Sequence, residues 1–425
     1  VNSCIRFLPT LDGKEVVSVE SLKGADNSLH PVQQAMVDNH ASQCGFCTPG
    51  FVMSLFALYL NQSEASREDV VNALSGNLCR CTGYRPIIEA GCRMNAYAEP
   101  DVWSRNAARS PERMALLKSL QRGPDASLRI DEGYHAPLHI DELARLYEAQ
   151  PQSLLLAGGT DIGLWVTKQK RNLPPLIYIG EVAELKEIRQ VGSNLEIGAA
   201  VRLSDAYEAI VAHYPMLREL ADRFASLPIR NSGTLCGNIA NGSPIGDSMP
   251  ILIALGASIE LRCGAKTRSI PLDEFYLGYQ KKALTAGEFV AAVRIPLAGV
   301  KPLVATYKIS KRIDQDISAV CGAYVVELND GKITSARIAY GGMAAIPKRA
   351  THMEEMLIGK SWSSESIELA ISKIAEDFQP LSDMRASSDY RLHTAKNLMR
   401  RFYLEHSGMQ APIRVTTVSA TQSGT

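Results

Sequence analysis

Two cysteine pairs constrain this chain more than any other feature. Cys44-Gly45-Phe46-Cys47 is followed, after 31 residues, by Cys79-Arg80-Cys81. Four thiolates presented from two tight loops suit a tetrahedral thiolate site, which holds either zinc or an iron–sulfur cluster. Zinc ribbons usually carry two residues inside both pairs, whereas the second pair here encloses one. The spacing leans towards iron and sulfur and leaves zinc open. Disulfides are disfavoured, because no apolar run reaches the roughly 18–20 residues of a membrane span and the opening residues do not read as a secretory signal. A cytoplasmic protein is expected, and such a chain keeps its thiols reduced. The sequence opens at Val1, and further residues are expected before it.

Around these pairs the apolar residues recur at helical spacing. Pro31 suits a first helical position, followed by Val32, Met36 and Val37. Thr48 is expected to cap a second helix with the stripe Phe51, Val52, Leu55, Phe56 and Tyr59. Ser66 and Asp69 form a capping-box pattern before Val70, Val71 and Leu74, and Gly76 can end that helix. A fourth helix is expected from Pro86 through Ile87, Ile88 and Cys92, with Cys92 buried as a small apolar residue. Together they make a small all-α four-helix domain over 23–97. Residues 98–132 lose the period and read as a linker, with a short helix near Met114–Leu120. Strand and helix patterns then alternate. Asn329-Asp330-Gly331 joins two strand-like runs, two helices follow near 364–378 and 387–405, and 407–425 reads as a disordered tail. The 425 residues thus divide into several domains, and the balance of 45 basic against 45 acidic residues offers no field for nucleic acid or a membrane surface.

Two further stretches carry chemistry. Leu154-Leu155-Leu156-Ala157-Gly158-Gly159-Thr160-Asp161-Ile162-Gly163 is a short apolar strand running into a glycine turn. Small residues there let backbone N–H groups approach a phosphate. No GxGxxG follows a strand, so a Rossmann unit is excluded. The second stretch, from Ile229 to Asp247, is dense in glycine, asparagine and serine and reads as backbone wrapped around a ligand.

The segments Gln43–Gly50 and Gly76–Pro86, with these two glycine-rich stretches, resemble the xanthine dehydrogenase family of molybdenum hydroxylases. The resemblance implies a multidomain α+β protein: the helical 2Fe-2S domain, an α+β FAD-binding domain over 133–300 of the vanillyl-alcohol-oxidase (PCMH-like) type, and a C-terminal α+β flavoprotein domain over 301–406. It implies that Cys44, Cys47, Cys79 and Cys81 ligate a 2Fe-2S cluster. Residues 1–22 are then the remnant of a plant-type ferredoxin domain, with Cys4 an orphan ligand of its cluster. For FAD it implies Gly158, Gly159, Thr160, Asp161 and Ile162 at the pyrophosphate, together with Thr234, Gly237 and Asn238, with Leu156, Ala157 and Val290 also among the cofactor-binding residues. Ser243 is expected to hydrogen-bond the cofactor, Asp247 to reach the ribose, and Phe224 and Lys308 to lie near the flavin. Cys236 departs from the usual glycine of the family, and Lys311 and Arg312 are expected on a solvated loop.

No molybdopterin domain follows, so the chain is expected to be the small iron–sulfur and FAD subunit of an α2β2 assembly with a large molybdopterin-binding subunit. The activity implied is that of an NAD-dependent xanthine dehydrogenase: purine is hydroxylated at the partner's molybdenum cofactor, and electrons pass through 2Fe-2S centres to FAD and then to NAD. No general acid or base is assigned to this chain. The alternatives are the equivalent subunit for an aldehyde or N-heterocycle substrate, and a zinc-stabilised nucleotide-binding scaffold without redox activity.

Overall fold

The computed structural model describes residues 1–123, 125–131, 133–297, 302–313 and 315–408. The chain forms two units, and both take segments from distant parts of the sequence. The first comprises Val1–Leu128, Gly159–Asn172 and Ala225–Ser232; the second comprises Arg129–Gly158, Leu173–Phe224 and the residues from Gly233 onward. Residues 409–425, which include most of the expected tail, lie outside the described residues.

In the first unit the apolar stripes build the expected helices Pro31–Asp38, Thr48–Asn61, Arg67–Leu74 and Arg85–Arg93. Val32, Phe51, Leu55, Phe56, Tyr59, Val70, Ile87 and Met94 close their shared core. Ser66 and Asp69 make the capping box. Four details differ from expectation. Cys47, not Thr48, is the N-cap residue of the second helix, and Thr48 opens the helix. Cys92 is exposed. The fourth helix buries Ile87, Ala90 and Gly91, a stripe continued by Met94, and position 92 falls off it. The stretch read as a linker is part of the fold: Trp103 joins the core at 7% exposure. Its indole N–H donates to the Ser21 carbonyl at 2.7 Å, and the Arg113 guanidinium lies over its ring at 4.0 Å. Ser110 caps the helix Pro111–Ser119, which starts earlier than the apolar residues indicate.

The second unit contains three sheets that bear on the site. Tyr134–Ala136 and Leu154–Leu156 pair in parallel with Leu176–Tyr178. An antiparallel sheet runs in the order Ile188–Val191, Asn194–Gly198, Phe289–Pro296, Ser258–Cys263, Lys266–Pro271. A second antiparallel sheet orders Leu303–Ile309, Val320–Asn329, Lys332–Gly341 and Lys348–Arg349. Its long hairpin turns at Asp330 and Gly331, both at positive φ, with Asn329 paired to Lys332. Helices Thr351–Leu357, Ser364–Ser372 and Ser388–His406 cover this sheet, where Tyr324 stacks on Phe402 at 5.0 Å between ring centroids. The helix Ser248–Ala254 is buried along its whole length. Arg337 of the sheet caps its C-terminal end by donating to the Ile253 carbonyl at 2.8 Å, so the sheet fixes the helix that follows Asp247.

Candidate cluster and flavin sites

The thiols of the two cysteine pairs meet at one end of the helical domain. Cys44 Sγ lies 3.3 Å from Cys81 Sγ. The Cys47 and Cys79 thiols are near enough to influence each other's ionisation. Cys47 is placed by the helix Thr48–Asn61 that it caps. Cys79 is placed by its backbone N–H, which donates to the Tyr84 hydroxyl at 3.1 Å, and Tyr84 sits at positive φ before the helix Arg85–Arg93. The Cys79 sulfur receives the Thr82 N–H at 3.5 Å and has the Thr82 hydroxyl at 3.1 Å. These hydrogen bonds pull the Cys79 thiol down to about 7, whereas burial pushes Cys47 up to about 11. Among the described residues no three His, Cys, Asp or Glu side chains close around one metal position. Four cysteine thiols from the two loops are the number of ligands that a 2Fe-2S cluster would take, two to each iron. Phe46 and Leu78, the residues before Cys47 and Cys79, are 94% and 67% exposed.

Cys4 is exposed in the turn Ser3–Ile5. That turn packs against the helix Ile162–Thr167, where a side chain at Gly163 would lie 2.6 Å from the Ile5 carbonyl oxygen. The N-terminal segment therefore touches the helix that leaves the first glycine turn.

Residues implied for FAD occur in both units. In the first, Gly159 takes a positive φ of 70° and Asp161 sits at the N-cap of Ile162–Thr167, with Thr160 between them. In the second, Leu156 is buried at the end of its strand, followed by Ala157 and Gly158. Thr234 caps the helix Leu235–Asn241, its hydroxyl accepting the Gly237 N–H at 3.0 Å. A Cβ at Gly237 would lie 2.6 Å from that hydroxyl oxygen and 3.8 Å from the Ala157 side chain, so Gly237 keeps backbone open where the two stretches meet. One residue on, Asn238 Oδ1 is buried without a hydrogen-bond partner. A buried acceptor normally has a donor, and an orphan in this cradle fits a ligand that supplies one. Cys236 is accommodated inside the protein, 1% exposed, and burial pushes its thiol up to about 12. Ser243 is half-buried and its hydroxyl accepts the Ile245 N–H at 3.4 Å. Val290 is buried on the strand Phe289–Pro296 next to a register break.

Phe224, Asp247 and Lys308 come together in one buried cluster of the second unit. Lys308 Nζ donates to Asp247 Oδ2 at 2.7 Å and to the Arg223 carbonyl, beside Phe224, at 3.5 Å. The Phe224 ring lies 5.4 Å from that of Tyr207, whose hydroxyl is 2.8 Å from Ser248 Oγ. Ser318 donates to Asp247 Oδ1 at 2.5 Å. Both carboxylate oxygens of Asp247, expected at the ribose, are thus engaged by protein. Lys311 and Arg312 are exposed, as expected. Tyr207, Ser318 and Cys321, whose thiol faces the Asp247 carbonyl at 3.9 Å, carry no sequence motif and are found only by their contacts.

Three family models match the chain. Residues 18–92 match a 2Fe-2S binding domain, 127–298 the FAD binding domain in molybdopterin dehydrogenase, and 305–406 the CO dehydrogenase flavoprotein C-terminal domain. Xanthine dehydrogenase 2 of Arabidopsis thaliana is 31% identical over 89% of this chain and 33% of its own length. The xanthine dehydrogenase/oxidase of Rattus norvegicus is 27% identical over 95% of this chain and 34% of its own length. The chain thus spans about a third of these relatives. Among solved structures, the carbon monoxide dehydrogenase of Hydrogenophaga pseudoflava is similar with a TM-score of 0.59 and 30% identity, over 65% of this chain and 96% of that one. Quinoline 2-oxidoreductase of Pseudomonas putida 86 gives 0.59 and 26% over the same shares.

Proposed function

Because this chain belongs to the molybdenum hydroxylase family, as its 2Fe-2S and FAD-binding part, we propose that it is the electron-transfer subunit of a xanthine dehydrogenase. Its partner is a large molybdopterin-binding subunit in an α2β2 assembly, where purine is hydroxylated. Electrons reach this chain through 2Fe-2S centres and leave through FAD to NAD. Bound FAD supplies a carrier that takes up single electrons and gives them on as a hydride.

The observation that carries this reading is the approach of Cys44 and Cys81, with Cys47 and Cys79 beside them, on the same chain as a glycine-lined cradle holding an orphan acceptor. The four cysteines would hold the cluster. Ala157, Gly158, Thr234, Gly237 and Asn238 would hold FAD phosphates by backbone and amide groups. Lys308 would place a positive charge at the flavin.

NADH added to the purified, cofactor-loaded chain tests the relay in reverse. Bleaching of both flavin and iron–sulfur absorption supports the proposal; bleaching of neither overturns the NAD assignment. The same subunit serving an N-heterocycle is the second reading, favoured by the similarity to quinoline 2-oxidoreductase. Co-purification with the partner subunit and assay with xanthine against quinoline separates the two.

A further inference from the structure

We propose that Ser318 is a positioning residue for the flavin site: it fixes Asp247, and through Asp247 it holds the Lys308 ammonium in place for the cofactor. This rests on the FAD reading above.

Asp247 and Lys308 are 5% and 7% exposed. A buried ion pair is retained in one geometry only where hydrogen bonds satisfy the remaining lone pairs and protons. Asp247 Oδ2 takes Lys308 at 2.7 Å, and the hydroxyl of Ser318 is the donor to Oδ1 at 2.5 Å. With both oxygens held, the carboxylate cannot rotate. Of the three N–H groups of Lys308, one goes to Asp247 and one to the Arg223 carbonyl at 3.5 Å. The third has no partner among the described residues and remains for a ligand.

Ser318 is itself rigidly placed. The next residue, Ala319, donates its N–H to the Ile309 carbonyl at 2.8 Å, closing the hairpin that carries Lys308. The buried guanidinium of Arg391 donates to the Ala319 carbonyl and, at 2.8 Å, to that of Gly342. Ser318, 1% exposed and two residues before the strand Val320–Asn329, is thus held through its neighbour Ala319. Without its hydroxyl, Asp247 Oδ1 is left buried and bare, the carboxylate turns, and the ammonium follows it.

The test compares wild-type chain with Ser318→Ala and Ser318→Thr. FAD affinity of the deflavinated protein is read by flavin fluorescence, the flavin midpoint potential by dye equilibration, and folding by thermal unfolding. Ser318→Ala should bind FAD about ten-fold more weakly, the scale of one hydrogen bond to a charged group. Its potential should be more negative, because the carboxylate loses its donor and the site becomes more electron-rich. Ser318→Thr keeps the hydroxyl and should restore both. Wild-type affinity and potential in Ser318→Ala, with only the unfolding temperature changed, overturns the positioning role. Failure of the wild-type chain itself to bind FAD overturns the flavin reading, and the role of Ser318 with it.

Discussion

The Cys44 and Cys81 sulfurs stand 3.3 Å apart although 37 positions separate them in the chain. Bare thiols gain little from such proximity, since ionising one opposes ionising its neighbours. Burial, and after it the neighbouring Cys79 thiol, raises Cys47, and contact with Cys44 raises Cys81. A bound cation reverses this balance. Cys44→Ser is therefore expected to abolish the iron–sulfur absorption and circular dichroism bands with the helical fold retained. Cys92→Ser, on the solvent side of its helix, should leave those bands unchanged.

Asn238 separates ligand binding from folding. Its buried Oδ1 has no partner in the protein, so Asn238→Ala removes an unsatisfied atom. The expected change in apoprotein stability is within about 1 kcal/mol. FAD affinity, by contrast, should fall by roughly ten-fold or more, as fluorescence titration would read. A large loss of apoprotein stability with unchanged FAD affinity would refute this assignment.

Gly76, three residues before Cys79, packs against the segment Ala225–Ser232 inside the first unit. It takes φ of +97°, and a Cβ there would lie 2.8 Å from Ser226 Cβ. Beside it the Leu227 N–H donates to Ser75 Oγ at 3.3 Å. Gly76→Ala should cost about 1–3 kcal/mol in chemical denaturation, from backbone strain and overlap together. Adding Ser226→Gly removes the overlap and should return part of the loss, with the φ strain remaining.

His30 makes the helical domain sensitive to acid. The ring is 1% exposed against Phe56 and Tyr59, and its Nδ1 accepts the Val32 N–H at 3.2 Å, which only an unprotonated nitrogen can do. Burial holds its pKa below the ordinary histidine value. The unfolded chain, near 6.5, takes up a proton that the folded chain refuses. Stability is therefore full above about pH 6.5 and falls as pH drops from there towards the folded pKa. Thermal unfolding between pH 7.5 and 5 should show that slope. His30→Asn, a capping residue that does not titrate, should be less stable overall and show a shallower slope.

The helices were legible because their apolar spacing and caps act locally: Ser66 with Asp69 is readable within four residues, and Asp330-Gly331 declares its turn by residue type. The cysteine pairs were legible for the same reason, since chemistry dictates their spacing. Contacts across long separations were not. Trp103 enters the core by a single indole hydrogen bond and a stacked arginine, which leave no period in the sequence. His30 caps its helix although histidine is no usual capping residue. The pairing of Lys308 with Asp247, 61 positions apart, follows from sheet and helix packing that no motif encodes. Cys92 was misplaced by one step of helical phase, which at 100° per residue is enough to turn a side chain from core to solvent.

The central claim is that one chain holds both an iron–sulfur cluster at Cys44, Cys47, Cys79 and Cys81 and a flavin at its glycine-lined cradle. Metal, acid-labile sulfide and flavin analysis of the purified chain tests it most directly. The account predicts a coloured protein with about two irons and two sulfides at these cysteines together with one FAD. A colourless protein carrying a single zinc and no flavin would contradict it.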